Sequence, residues 1–187
     1  MKVAKIVILV ALFALVARCA SSSISYNHDG SIGFKEDTST DGTVVIKFYN
    51  QDKEYLSSID TRASIYHKYK LYWVGEFVIL ESSDIGIDAY KCDDKEIFSG
   101  PCRKLRDADS GIIAYCIFAN PCGRKNGHEI FAEVKIYVTT NGKTIGAGRV
   151  QGEYDYYGAN IRLNNGACLI TDISGKDAKI EYSKVSN

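Results

Sequence analysis

Apolar and polar residues alternate through much of the chain, and no stretch sustains the helical period of 3.6. The cleanest alternation runs from Ile130 to Val138. There Ile130, Ala132, Val134, Ile136 and Val138 make one aliphatic face, and Glu133 and Lys135 fall on the other. Thr43 to Tyr49, TVVIKFY, predicts an earlier strand, after a polar segment at residues 21–41 that leaves room only for a short or frayed one. Residues 65–80 predict one long strand, with Tyr69, Leu71, Trp73, Gly75, Phe77 and Ile79 in phase and a bulge or bend at Gly75. Asn141-Gly142 and Asn164-Asn165-Gly166 are hairpin signals, because both residue types tolerate positive φ. They separate strands expected at 144–157, 159–163 and 167–173, with a last one at 178–182. Seven or eight short strands at this spacing predict an all-β, two-layer antiparallel sandwich.

The stretch from Cys92 to Cys122 interrupts the pattern. It carries four of the six cysteines and both prolines, and its RKLRDAD middle keeps neither period. It reads as an irregular crossover between two blocks of sheet, stapled by disulfides. The first 20 residues place Lys2 and Lys5 before the apolar run IVILVALFALVA, too short to span a bilayer and suited to a secretory signal. Residues 21–187 are then expected to form a single secreted domain. Cleavage after Cys19 or after Ser22 removes Cys19 and leaves five cysteines, so one thiol is left over. Sequence order favours the local pairs Cys92 with Cys102 and Cys116 with Cys122, leaving Cys168 free, although four cysteines allow three pairings.

Charge is balanced at 23 basic and 23 acidic residues, which argues against nucleic acid as a partner. DTSTDG lacks the spacing and closing Glu of a calcium loop and reads as a solvated turn. GKTIGAGRV lacks the ending of a phosphate loop. His28, His67 and His128 stand at no catalytic spacing, so neither catalysis, nor a metal, nor a cofactor is expected. No Asn-x-Ser/Thr acceptor for an N-glycan occurs, which favours extracellular fluid over a glycan-addressed compartment.

The second half carries a family resemblance. GEYDYYGANIRLNNGACLITDI is similar to the final hairpin of the ganglioside activator proteins, members of the ML superfamily of secreted lipid-recognition domains, through Gly152, Tyr154, Gly166, Cys168 and Ile170. KCDDKEIFSGPC and YCIFANPCGRKNGHEIFAEVKIYV resemble the family's two disulfide loops, and the likeness covers roughly residues 69–173. His28 falls near where the family's N-terminal cysteine would stand, and its absence implies that Cys168 is a thiol. The resemblance implies an immunoglobulin-like β-cup with an acyl chain between its sheets, transient contact with a membrane surface, and transfer of the lipid to a protein acceptor. Burying acyl chains gains about 0.8 kcal/mol per methylene and needs apolar walls rather than catalytic residues. The expected walls are Trp73, Phe77, Ile79, Ile112, Ile113, Ile117, Phe118, Val134, Ile136 and Val138. The competing expectation is a secreted protein-interaction module over a solid core, acting through the Cys92 to Cys122 stretch.

Overall fold

The computed structural model describes residues 23–93, 96–164 and 166–183; the expected signal segment lies outside them. The described residues are all-β, with every strand pair antiparallel. Strands β1 (Ser25–Tyr26), β2 (Ile32–Thr38), β3 (Thr43–Asn50) and β4 (Tyr55–Ser64) form a four-stranded meander. A seven-stranded meander follows: β5 (Tyr69–Val74), β6 (Phe77–Ser82), β7 (Gly86–Asp93), β8 (Glu96–Arg106), β9 (Ile113–Lys125), β10 (His128–Thr140) and β11 (Lys143–Asp155). The chain closes with a three-stranded sheet, β12 (Asn160–Asn164), β13 (Ala167–Thr171) and β14 (Asp177–Glu181).

The seven-stranded sheet is the first layer, and the two small sheets together are the second. Strand registers put Val78, Tyr90, Pro101, Arg103, Cys116, Ile136 and Gly148 on one face of the large sheet. The four-stranded sheet covers the β5 to β7 half of that face, where Phe34 meets Trp73 edge to face with ring centroids 5.5 Å apart. The three-stranded sheet covers the β9 to β11 half, with Tyr182 against Gly146 and Ile180 against Gly148. Each half has its own core, one around Phe48, Val78, Leu80 and Tyr90 and the other around Phe118, Val134, Ile136 and Ile170.

Among the described residues no sheet covers the opposite face, which curls upon itself instead. Tyr137 of β10 reaches the β5–β6 turn, touching Gly75 and lying 5.9 Å from the Phe77 ring, and Lys135 Nζ meets Glu76 Oε1 at 3.2 Å. Inside the curl a third core gathers Phe77, Ile79, Ala89, Cys102 and Ile117. Coiling is the ordinary consequence of the right-handed strand twist accumulated over many strands.

Three expectations are corrected. Residues 65–80 are not one strand. Gly75, at φ +57°, and Glu76 turn the chain back, so Trp73 pairs with Val78, and Trp73 and Phe77 face opposite ways. The Cys92 to Cys122 stretch is not an irregular crossover: β8 and β9 fill most of it, joined by a turn at 107–112. Its charges lacked a period because distant groups satisfy them one by one. Arg103 Nη1 donates to the Ala159 carbonyl at 2.5 Å, and Lys104 Nζ donates to both Glu81 carboxylate oxygens at 2.8 Å.

The third correction concerns the staple, since all five described cysteines are free. Cys116 and Cys122 lie on one extended strand, six residues or about 20 Å apart. Cys92 faces Ile97 in register, which puts Cys102 roughly 16 Å further along β8 and on the other face. Neither pair meets the Cα separation of about 4.4 to 6.8 Å that a disulfide requires.

Candidate functional site

The ten expected lipid-contacting residues do not converge. Ile112, Phe118, Val134, Ile136 and Val138 belong to the core under the three-stranded sheet. Phe77, Ile79 and Ile117 lie inside the curl, with Ile113 packed against them, and Trp73 borders the core under the four-stranded sheet. Ile79, Ile117, Phe118, Val134, Ile136 and Val138 are each 0% accessible. A void wide enough for an alkyl chain would leave its walls accessible to a water-sized sphere, so these side chains fill cores rather than line a hollow. The cup expected from the resemblance is therefore closed at these positions.

One open cleft lies in the seam between the two covering sheets, and another, of about 590 Å³, lies beside Trp73, Glu76 and Lys143. In the seam the start of β7 and the middle of β8 are left open, and a cleft of about 460 Å³ has Asp88, Ser99 and Pro101 on its floor. One wall is Arg62 of β4; the other is Tyr156 and Tyr157, on the link from β11 to β12, with Phe131 and Glu129 of β10. Ile85 and Ile87 add apolar surface at the entrance to β7. Ser99, Gly100 and Pro101 come from the Cys92 to Cys122 stretch, so the segment singled out in the sequence does contribute. Its contribution is a floor rather than a stapled loop.

The polar groups here are oriented by one another. Arg62 grips Asp88 in a two-pronged pair, Nε to Oδ2 and Nη2 to Oδ1, both at 2.7 Å, and Nη2 also donates to the Ile85 carbonyl at 3.2 Å. Asp88 is buried while the Arg62 side chain is 61% exposed, so the guanidinium is both the carboxylate's counter-charge and an accessible donor. The pair holds Arg62 still more firmly protonated than usual, its hydrogen bond to Asp88 outweighing partial burial. Tyr90 donates to Asp88 from below at 3.4 Å, and its phenol is pushed up, first by burial and then by that carboxylate.

The aromatic wall is braced in the same way. Tyr156 packs edge-on against Phe118 at 5.2 Å and Tyr157 at 5.0 Å, and its hydroxyl donates to the Cys102 carbonyl at 3.4 Å. Tyr157 stands 76% exposed beside the His128 ring at 5.3 Å. His128 in turn bonds Asp155 through Nδ1 at 2.8 Å. Asp155 is held below the usual carboxylate range: desolvation opposes this, but His128 and the Tyr157 backbone N–H outweigh it. His128 thus has a carboxylate partner 27 residues away, a pairing no motif spacing reveals. His67 Nδ1 accepts from the Ser64 backbone N–H at 3.0 Å and closes a turn.

Sequence reasoning missed Arg62, Asp88, Tyr156 and Tyr157 as a group. They lie on three separate segments, and only the stacking of two sheets on a third brings them together. The signal available was the run Tyr154-Asp155-Tyr156-Tyr157, whose last two residues continue past the end of β11. No family model matches the chain, and no curated protein matches it.

Proposed function

We propose that this chain is a secreted binding module that engages a protein partner through the seam cleft. The observation that carries the reading is Tyr157, exposed and braced by Tyr156, facing the oriented Arg62–Asp88 pair across an open cleft of about 460 Å³. Tyr and Arg dominate binding energy at protein interfaces because each offers a large contact area with a hydrogen-bonding end. Here both are held in place before a partner arrives, which lowers the ordering cost of association. Arg62, Asp88 and Tyr156 are held by one another or by backbone carbonyls, an arrangement suited to recognition. The apolar run at the N-terminus supports secretion. Acyl-lipid carriage rests on the sequence resemblance alone, and the closed cores weigh against it.

A photo-reactive benzoylphenylalanine placed at Tyr157, and separately at Tyr66, tests the reading in the extracellular fluid of the source tissue. Tyr66 is 85% exposed and outside the cleft, so it reports non-specific encounter. A discrete protein adduct from position 157, absent from position 66 and lost on adding Arg62→Ala, is expected. Equal labelling from both positions would move the interface away from the seam.

A further inference from the structure

Two of the five described cysteines meet across the sandwich. The register of the seven-stranded sheet places Arg103, Cys116, Ile136 and Gly148 in one row across β8, β9, β10 and β11. In the three-stranded sheet, Leu163, Cys168 and Ile180 form a row across β12, β13 and β14. The rows lie over one another: Ile180 rests on Gly148 at one end, and Arg103 bonds the Ala159 carbonyl beside β12 at the other. Cys168, in the middle of the upper row, therefore falls over the middle of the lower row. Both thiols are 0% exposed and belong to one core, and they are hydrogen-bonded to each other. The hydrogen bond to Cys168, followed by burial, raises the Cys116 thiol well above its usual range.

The setting allows the sheets to come close. Gly146 and Gly148 on β11 and Ala114 on β9 keep bulk out of the interface, and a Cβ on Gly146 would lie 2.8 Å from that of Tyr182. The other described cysteines point into other surroundings. Cys92 lies under the four-stranded sheet with its sulfur 3.0 Å from Ser57 Oγ, Cys102 is inside the curl, and Cys122 is exposed near the end of β9.

We propose that Cys116 and Cys168 are the disulfide-forming pair of this chain, joining the two layers of the sandwich when a small-molecule or protein disulfide acts as oxidant. One thiolate attacks the oxidant R–S–S–R, forming a mixed disulfide and releasing R–S⁻. The second thiolate then attacks the protein sulfur of the mixed disulfide and releases the second R–S⁻. Two electrons pass from the cysteines to the oxidant, and the two thiol protons end on the two R–SH released. Because both sulfurs are sealed from solvent in the folded chain, the exchange takes place while the three-stranded sheet is undocked. The bond then fixes β13 over β9. This pairing replaces both bridges expected from sequence order, and it gives Cys168 a partner instead of leaving it a thiol.

The inference is independent of the seam cleft, and its test needs no partner. The full chain is unfolded with reductant, refolded in a reduced and oxidised glutathione buffer, alkylated with iodoacetamide in denaturant and digested for mass spectrometry. One cross-linked peptide containing Cys116 and Cys168 is expected, with Cys92, Cys102 and Cys122 alkylated. The linked chain should melt about 5 to 15 °C above the same chain kept reduced. A Cys92→Ser, Cys102→Ser, Cys122→Ser variant should give the same linked peptide, and it guards against scrambling. Folded β-sheet protein in which Cys116 and Cys168 are both alkylated, or in which either is joined to another cysteine, overturns the proposal.

Discussion

Arg62 on β4 and Asp88 on β7 join the four-stranded sheet to the seven-stranded one through two 2.7 Å contacts at the rim of the seam. Asp88 is 6% exposed, so removing its partner leaves a buried carboxylate with only the Tyr90 hydroxyl at 3.4 Å. Arg62→Ala is expected to destabilise the chain by about 1 to 3 kcal/mol in urea unfolding, the range for stranding a charged hydrogen-bonding group. Adding Asp88→Asn should recover part of that loss, because the neutral amide is cheaper to leave buried. Strict additivity of the two changes would mean that the pair is not coupled.

Tyr157→Ala should leave the unfolding free energy in urea within about 0.5 kcal/mol of the native chain, since the ring is mostly exposed. Phe118→Ala, beneath Tyr156, should cost about 3 to 5 kcal/mol as a fully buried aromatic. Paired measurements on the two variants separate the surface of the aromatic wall from its support.

Two glycines distinguish backbone from side-chain crowding. A Cβ on Gly100 would stand 2.5 Å from the Phe118 carbonyl oxygen, which cannot move without distorting β9, whereas on Gly148 it would meet the free end of Ile180. Gly100→Ala is expected to lose about 1 to 3 kcal/mol, and Gly148→Ala less. Thermal melts of both variants check the order.

Acid should loosen the turns before the cores. Asp41 accepts from the Ser39 hydroxyl and, at 2.9 Å, from the Thr43 backbone N–H, and these bonds hold its carboxyl at about 2. Asp155 is likewise depressed beside His128. A carboxyl depressed in the folded state contributes stability that is fully present above its unfolded pKa, near 4, and is lost as pH falls through the folded value. Carboxyl carbon NMR titration should therefore find Asp41 still ionised at pH 3. Titration of Asp41 near 4 would remove this contribution.

Much of the fold was legible, and the exceptions have physical causes. The β3, β10, β12 and β13 strands follow from alternation and from turns such as Asn141-Gly142, where both residues adopt positive φ. The strand expected at 65–80 failed because a two-residue turn shifts which residues share a face without interrupting the alternation seen along the chain. Around Phe131 the register slips against both neighbouring strands, so Phe131 joins the core where strict alternation had placed Ala132. β8 was hidden because Arg103 and Lys104 satisfy partners far away in sequence. Of the ten residues expected to line a cavity, eight are buried, and Trp73 and Ile113 are half-buried. Burial alone does not say which face of which sheet a residue occupies, and that assignment decides between a hollow and three filled cores.

The most direct test is lipid extraction from the purified chain. The protein is denatured in organic solvent, the extract is examined by mass spectrometry, and the folded chain is titrated with a fluorescent fatty acid. Closed cores predict no acyl lipid near one per chain and no saturable uptake. A stoichiometric lipid, displaced by the fluorescent acid and lost in Ile117→Ala or Val134→Ala chains that remain folded, would contradict the account.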